Sequence, residues 1–144
     1  MFSKACEYAI RATVHIARQS LQDERASLVD ISKAIDSPIA FTAKILQQLV
    51  QAGIITSIRG KAGGFYISTS EMKEKLIAEI VEVIDGDDIY TECGLGLKSC
   101  SSERPCPAHE RFVSIRNDLK TVLKTTSIYS MAVGLKEGLT FLKR

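Results

Sequence analysis

Residues 37–66, SPIAFTAKILQQLVQAGIITSIRGKAGGFY, carry the pattern that decides the fold. Ser37 and Pro38 predict the start of a helix, with the serine as N-cap and the proline in the first turn, and Gly53 predicts its end. Because successive helical residues are about 100° apart, apolar side chains cover one broad side of this helix. That side is formed by Phe41, Ile45, Leu46, Leu49 and Val50, and the opposite side by Ala40, Ala43, Lys44, Gln47 and Gln51.

A β-hairpin is predicted directly after this helix. Residues 54–58 and 65–68 are two short stretches rich in β-branched and aromatic side chains. They flank the sequence RGKAGG at 59–64, whose glycines permit a tight turn. This hairpin is called the wing here, and its tip is therefore basic.

Two further helices are predicted before residue 37. Apolar residues recur every three or four positions through 2–20, which is the spacing of one helix face. Ser27 is a suitable N-cap for a second helix of about two turns. The order of helix, short helix, polar-faced helix and hairpin is that of a winged helix-turn-helix, so we expect a DNA-binding domain over residues 1–70.

Residues 71–144 are predicted to form a helical region, which makes the whole chain mainly α with one small β-hairpin. Helices are indicated at 76–84, at 109–124 and, with interruptions at Gly134 and Gly138, at 127–142, whereas residues 87–108 form an irregular loop.

The helix at 109–124 has the pattern of a dimerisation helix. Its apolar residues follow a three-four-three spacing, which is typical of a coiled-coil seam. These residues are Phe112, Ile115, Leu119 and Val122. Two heptads are marginal in isolation, so we expect the same helix of a second subunit to pair with it in a homodimer.

Composition and charge restrict the function classes. No run approaches the ~18 apolar residues of a membrane span, and the first residues lack the layout of a signal peptide, so we expect a cytoplasmic protein without a membrane partner. The chain has 8 basic and 5 acidic residues up to Tyr66, and 11 basic and 12 acidic residues after it, which gives net charges of +3 and −1. The N-terminal excess permits binding to a polyanion such as DNA. There is no nucleotide-binding loop or nucleophile-base pair, so we do not expect an enzyme.

Three of the four cysteines lie in the predicted loop. Cys93, Cys100, Cys106 and His109 fall within 17 residues, together with two glycines and two prolines that let the backbone wrap. In a cytoplasmic protein such a set favours metal or redox chemistry over disulfides. Pro107 suits the first turn of the next helix, so Cys106 is expected near its N-cap, where the helix dipole favours a thiolate. Structural zinc, redox-active thiols and incidental loop cysteines remain alternatives.

The sequence resembles the Rrf2 family over nearly its whole length. The resemblance rests on the segment 34–49 with its SPxxF start, AGII at 52–55, SIRG at 57–60, GGF at 63–65 and the three loop cysteines. It implies a dimeric winged-helix transcriptional regulator, here a repressor, whose DNA affinity is controlled by an iron-sulfur cluster. It also implies that Cys93, Cys100 and Cys106 ligate that cluster.

The resemblance does not decide which residue is the fourth cluster ligand. His109, in the pattern Cys-x-x-His, is similar to the IscR-like arrangement in which histidine completes a 2Fe-2S site, and we favour it. This chain has six rather than five residues between Cys93 and Cys100. That departure keeps open an NsrR-like 4Fe-4S centre, for which Glu7 of the other subunit would be the fourth ligand. We interpret Cys6 and His15 as packing residues.

The polar side of the helix after Pro38 is predicted to enter the major groove of an operator. Lys44 and Gln47 can present donors and acceptors to base edges, and Ala40 and Ala43 allow close approach. In the IscR-like pattern a glutamate stands at the position of Ala43, so the operator preference should differ. The wing residues expected at phosphates or in an adjacent minor groove are Ser57, Arg59, Gly60 and Lys61.

The alternative function is a winged-helix regulator or protein-interaction module without a cluster. In that case the loop cysteines hold structural zinc or act as redox-active thiols.

Overall fold

The computed structural model describes residues 1–142, which contain eight helices and one two-stranded antiparallel sheet. In chain order these are α1 (Lys4–Ser20), α2 (Leu28–Ile35), α3 (Ile39–Gln51), β1 (Thr56–Ile58), β2 (Gly64–Tyr66), α4 (Thr69–Glu74), α5 (Ile77–Asp85), α6 (Asp88–Thr91), α7 (His109–Thr125) and α8 (Ile128–Lys136). The prediction of a mainly helical chain with a small hairpin is confirmed. No helix in this part of the chain has the length and apolar character that a membrane crossing requires.

Helix α1 lies at the centre of the core. It contacts α2, α3, α5 and α8, and its buried side is rich in small side chains that let these helices approach closely. The buried residues of α1 are Cys6, Ala9, Ala12, Thr13, Val14, Ile16 and Ala17. The hydroxyl of Thr13 donates to the carbonyl oxygen of Ala9 at 2.8 Å, which satisfies the polar group inside the core.

Helices α2 and α3 form the helix-turn-helix. Ser27 caps α2 by accepting a hydrogen bond from the amide of Asp30, as predicted. Helix α2 ends at Asp36, whose φ of 54° lies in the left-handed region and turns the chain sharply towards α3. The predicted N-cap at Ser37 is wrong. Pro38 occupies the cap position with an extended backbone, so α3 begins one residue later, and the hydroxyl of Ser37 is buried without a partner among the described residues.

The buried side of α3 is rotated slightly from the predicted one. Phe41 remains 37% exposed and packs edge to face on Tyr8, with 5.8 Å between the ring centroids. Thr42 is fully buried instead, because its hydroxyl donates to the carbonyl oxygen of Pro38 at 2.9 Å. Further along α3, Ile45, Leu46 and Leu49 are buried as predicted.

The wing has shorter strands than the sequence pattern predicts. β1 and β2 are antiparallel, with Ser57 opposite Phe65 and Ile58 opposite Gly64. Ile54 and Ile55 precede β1 and are buried, so these β-branched residues pack in the core rather than extend the strand.

Two helices were not predicted. Helix α4 begins at a capping box in which Ser68 accepts from the amide of Glu71 and the Glu71 carboxylate accepts from the amide of Ser68. Helix α6 is a single turn inside the segment 87–108, so the prediction of an irregular loop is wrong for residues 88–91.

The C-terminal helices join the same core. The amide of Ile77 donates to the carbonyl oxygen of Thr126, and the amide of Ile128 donates to that of Lys75, both at 3.0 Å. These bonds tie the start of α5 to the start of α8. The helix predicted over 127–142 ends at Lys136, and Gly138 follows it with a φ of 68°, whereas the helix continues through Gly134.

Candidate DNA interface and cysteine site

The outward side of α3 presents the residues predicted to read DNA. Ala40, Lys44 and Gln47 are exposed and Ala43 is half-buried. The side chains that anchor the helix project to its opposite side, into the core. This helix can therefore approach another macromolecule without unfolding.

The predicted wing residues Ser57, Arg59, Gly60 and Lys61 are all exposed. Gly60 has a φ of 103°, which few other residues adopt. A Cβ added to Gly63 would lie 2.2 Å from the carbonyl oxygen of Ile58, so the tip of the hairpin has no room for a larger residue there. Within residues 1–142 neither basic residue of the tip forms a salt bridge, which leaves both charges available to an anion.

The predicted cluster ligands lie in two pairs between α6 and α7. The Sγ atom of Cys100 is 3.4 Å from Nδ1 of His109, the first residue of α7. The thiol of Cys106 lies close enough to that of Cys93 to help lower the pKa of Cys93. In the described part of the chain, no three histidine, cysteine or acidic side chains lie together closely enough to hold a metal ion. The structure thus brings the four residues into one loop but keeps the two pairs separate.

The environment of Cys93 favours a thiolate. Hydrogen bonds from the backbone of Leu95 and then of Leu97 are the largest causes that lower the pKa of this thiol. The neighbouring thiol of Cys106 and the nearby charge of Arg116 act in the same direction. Cys93 is therefore prepared for metal ligation or for thiol chemistry.

Arg116 is a site residue that the sequence reasoning missed. Its Nη2 donates to Sγ of Cys100 at 3.3 Å, and its Nη1 donates to the carbonyl oxygen of Glu92 at 2.7 Å. One side chain of α7 thus holds the start and the middle of the cysteine loop. The signal was present, since His109, Phe112 and Arg116 are three and four residues apart and share one helix face.

Phe112 contacts the loop on the same helix face. A Cβ added to Gly94 would lie only 2.4 Å from the ring of Phe112. The absence of a side chain at Gly94 lets the loop lie directly on α7.

Glu7, Cys6 and His15 differ sharply in environment. Glu7 lies in the first turn of α1, where a 2.9 Å salt bridge to Lys4 lowers the pKa of its carboxyl group. Cys6 is fully buried, and burial raises its thiol pKa to about 12, with Asp85 adding to the effect. His15 is half-buried, its pKa is lowered mainly by burial, and its Nε2 has no partner among the described residues. Glu7 is therefore accessible from outside, whereas Cys6 and His15 belong to the packed interior.

The predicted coiled-coil seam divides into two sets in the single chain. Phe112 and Leu119 face the rest of the protein, with Leu119 packed against the core. Ile115 and Val122 are 59% and 57% exposed. The exposed pair leaves an apolar stripe along α7.

A winged helix-turn-helix with a free basic wing and an exposed polar recognition helix defines a class of DNA-binding transcriptional regulators. Within that class, the model of the Rrf2 family, described as an iron-dependent transcriptional regulator, matches residues 2–133, and the chain belongs to this family. The predictions of family and fold class are confirmed.

One curated relative and two solved structures illustrate the similarity. The chain is 25% identical over 121 residues to the HTH-type transcriptional regulator IscR of Photorhabdus laumondii. The alignment covers 84% of this chain and 72% of that protein. CymR, the global cysteine regulator of B. subtilis, aligns with a TM-score of 0.76 and 21% identity, over 92% of this chain and 96% of its own. IscR of T. potens aligns with a TM-score of 0.73 and 18% identity, over 97% of this chain and 91% of its own. The two solved structures support the fold, and the family membership supports regulation of transcription through DNA.

Proposed function

We propose that this chain is a homodimeric transcriptional repressor whose DNA affinity is controlled by an iron-sulfur cluster on the cysteine loop. Residues 1–70 bind the operator, and residues 71–144, of which the last two lie outside the described part, form the dimer and hold the cluster. The observation that carries the proposal is the contact of Cys100 with His109 at the start of α7, and Arg116 of the same helix also donates to Cys100. That helix also bears the exposed apolar stripe through which a second subunit would pair.

The donor set suits an iron-sulfur cluster. Cys93, Cys100 and Cys106 supply thiolates and His109 a neutral imidazole, a combination found in 2Fe-2S centres. Backbone hydrogen bonds already lower the pKa of the Cys93 thiol, and the guanidinium of Arg116 beside Cys100 offsets the negative charge of ligating sulfur. A bound cluster would supply a centre whose charge changes by one electron on oxidation or reduction.

Cluster binding requires the two ligand pairs to converge. No residue between 87 and 108 is fully buried, so their rearrangement disrupts little core packing. Gly96 has a φ of 71° and open space around its Cα, so the loop can turn there freely. We favour a 2Fe-2S centre completed by His109. A 4Fe-4S centre completed by Glu7 of the partner subunit is the alternative.

The exposed polar side of α3 is proposed to lie in the major groove. Lys44 and Gln47 read base edges there, and the small residues Ala40 and Ala43 let the backbone approach. The wing contacts phosphates beside the groove through Ser57 in β1 and through Arg59, Gly60 and Lys61 in its tip. A symmetric dimer would then recognise two half-sites about 10 base pairs, or a multiple of it, apart.

The link between loop and DNA runs through α7. One side of this helix carries His109 and Arg116 against the loop, and the other side presents Ile115 and Val122. A change in the order of the loop therefore alters the dimer seam, and with it the spacing of the two recognition helices. Such coupling ordinarily changes DNA affinity by about 5- to 150-fold.

Metal analysis is the first experiment. Protein purified without oxygen should be coloured and contain iron and acid-labile sulfide in about equal amounts. Replacement of Cys93, Cys100 or Cys106 by alanine should abolish or severely weaken the absorption, whereas Cys6→Ala, the matched control in the core, should leave it intact. His109→Ala should have an intermediate effect. Colourless protein with about one zinc per chain, even after reconstitution with iron and sulfide, would reject the cluster.

DNA binding is the second experiment. A duplex selected by the wild-type protein from a random-sequence pool serves as the probe. Cluster-bound protein, cluster-free protein and the triple Cys→Ala variant should differ in affinity at fixed salt. Lys44→Ala should change the preference among related duplexes, because Lys44 is proposed to read bases. Equal affinity of all three protein forms would show that the cluster does not control binding.

Redox-active thiols are a second candidate mechanism. The proximity of the Cys106 thiol to Cys93 and the lowered pKa of Cys93 favour it. In that case cluster-free protein should lose two thiols on oxidation, and DNA affinity should follow the thiol count rather than the iron content.

A further inference from the structure

The linker between α1 and α2 lies along the wing and pairs with it. The amide of Ala26 donates to the carbonyl oxygen of Phe65 at 3.0 Å, and the amide of Phe65 donates to that of Ala26 at 2.8 Å. Ala26 is 2% exposed. The linker thus forms an isolated antiparallel bridge to the outer edge of β2, and the base of the wing is fixed to the helix-turn-helix.

The tip of the wing, residues 59–63, extends beyond the last paired residues of the hairpin, Ile58 and Gly64. Within the tip the amide of Gly63 donates to the carbonyl oxygen of Gly60 at 3.0 Å, which closes the turn but does not orient it relative to the domain. The two basic residues proposed to contact phosphate, Arg59 and Lys61, lie in this tip.

Arg25 in the linker reaches both parts of the wing. Its Nη1 donates to the carbonyl oxygen of Ala62 in the tip at 2.5 Å, and its guanidinium lies 5.7 Å from the ring centroid of Tyr66 in β2. A charged donor on a carbonyl oxygen is stronger than a neutral one, and the aromatic face adds a cation-π contact. A single side chain therefore joins the linker, the strand and the tip.

The backbone fits closely at this point. Gly64 has a φ of 138°, and a Cβ there would lie 2.9 Å from the carbonyl oxygen of Ala26 and 3.1 Å from Cβ of Arg25. The glycine lets the linker and the hairpin touch, which brings the guanidinium within reach of Ala62.

We propose that Arg25 is the positioning residue of the wing: it sets the orientation of the tip so that Arg59 and Lys61 meet the DNA backbone. This inference rests on the proposed DNA-binding surface. Arg25 acts through the wing and not on a phosphate, because its guanidinium is already engaged by Ala62 and Tyr66. Its loss should therefore alter the wing even when no DNA is present.

The test compares Arg25→Ala with Arg59→Ala by two measurements. The first is affinity for the selected duplex as a function of salt, and the second is amide exchange of residues 59–66 in DNA-free protein. Arg25→Ala should speed exchange in the wing and weaken binding roughly 5- to 10-fold, because the loosened tip must be ordered when DNA binds. Arg59 and Lys61 still reach the phosphates in the bound state, so the salt slope should stay nearly unchanged. Arg59→Ala should make the salt slope shallower by about one and leave exchange unchanged.

Arg25→Lys separates charge from geometry. Lysine keeps the positive charge but cannot present a planar group to Tyr66 and a donor to Ala62 together. We expect intermediate affinity and intermediate exchange for this variant. Tyr66→Leu should resemble Arg25→Ala, and the double variant should be less than additive, because both changes remove the same support.

Several outcomes overturn the proposal. If Arg25→Ala lowers the salt slope as Arg59→Ala does and leaves exchange unchanged, Arg25 is a phosphate contact. If Arg59→Ala weakens binding and Arg25→Ala does not, the positioning role alone is wrong. If neither variant changes affinity, the wing does not contact DNA, and both the role of Arg25 and the proposed wing interface are rejected.

Discussion

The DNA-facing region and the cysteine loop are held in place by different forces. The helix-turn-helix rests on fully buried apolar side chains such as Ile31, Leu46 and Leu49, and its wing is fixed by backbone hydrogen bonds. Residues 87–108 contribute no fully buried side chain: Ile89 and Tyr90 pack partly buried against the core, and the rest of the loop is attached through contacts with Arg116, Phe112 and His109. Buried core packing therefore organises the DNA-facing region, whereas the loop has few buried contacts to stabilise it.

The largest expected difference between the two regions is in stability. Leu46→Ala removes a fully buried side chain from α3 and should lower the free energy of unfolding by about 3 kcal/mol. Leu97→Ala, in the loop, changes a side chain that is 55% exposed and should cost about 0.5 kcal/mol or less. Urea denaturation of cluster-free protein measures both. Equal losses would mean that the loop is part of the core.

The second-largest effect is expected at the contacts that attach the loop to α7. Arg116→Gln removes the hydrogen bonds to Glu92 and Cys100 and should lower the free energy of unfolding by about 1 kcal/mol. Amide exchange of residues 92–100 should become faster, while exchange in the wing stays unchanged. Arg111→Gln, an exposed change on the same helix, is the control. Unchanged exchange in the loop would show that Arg116 does not hold it.

The two kinds of cysteine should respond to pH in opposite ways. In metal-free protein Cys93 should react with iodoacetamide at lower pH than an ordinary thiol, because backbone hydrogen bonds lower its pKa. Cys6, with a pKa of about 12, should stay unreacted until the protein unfolds.

The contributions of these thiols to stability depend on pH with opposite signs. The lowered pKa of Cys93 stabilises the fold at pH values above the pKa of the unfolded thiol. This stabilisation is lost as pH falls through the pKa of Cys93 in the folded protein. The stabilisation linked to the raised pKa of Cys6 is complete below the pKa of the unfolded thiol and is lost as pH rises towards 12. Mass spectrometry of alkylated protein between pH 6 and 10, roughly the range around an ordinary thiol pKa, measures the reactivity. Faster reaction of Cys6 than of Cys93 would contradict the assignment.

The smallest effect is expected at Glu7. Its salt bridge to Lys4 lies at the surface, so Glu7→Gln and Lys4→Gln should both leave the unfolding transition unchanged. The absorption of the reconstituted cluster should also be unchanged if His109 is the fourth ligand. A spectrum altered by Glu7→Gln but not by Lys4→Gln would move the assignment to a 4Fe-4S centre completed by Glu7.

Most of the DNA-facing region could be predicted from the sequence because its signals are local. Periodicity placed α1, α2 and α3, Ser27 was identified as a cap, and the glycines of the tip indicated a hairpin. The errors at Ser37 and Phe41 are shifts of a single position. The shift at Phe41 arises because the ring of Tyr8, from another helix, supports Phe41 and lets Thr42 take the buried position. The overlooked α4 had a readable capping box at Ser68 and Glu71.

The cysteine loop was predicted less completely, because spacing along the chain does not give distances in space. The sequence indicated four candidate ligands in one loop but not their division into two pairs, and it gave no role to Arg116 or Arg25. Both arginines act on backbone carbonyl groups far away in sequence, Arg116 on Glu92 and Arg25 on Ala62. A carbonyl oxygen is present in every residue, so no sequence pattern marks such a contact.

The amino-acid sequence by itself determined the order of helices and hairpin, the polar side of α3, the basic tip of the wing and the set of candidate sulfur and nitrogen ligands. These features follow from side-chain chemistry and from helix and strand periods that act over a few residues. The tertiary structure decided which thiols are neighbours, which cysteine is buried, and which arginines hold the loop and the wing. Those outcomes depend on how α1 and α7 pack against distant segments, and that packing brings together groups that neither composition nor spacing relates.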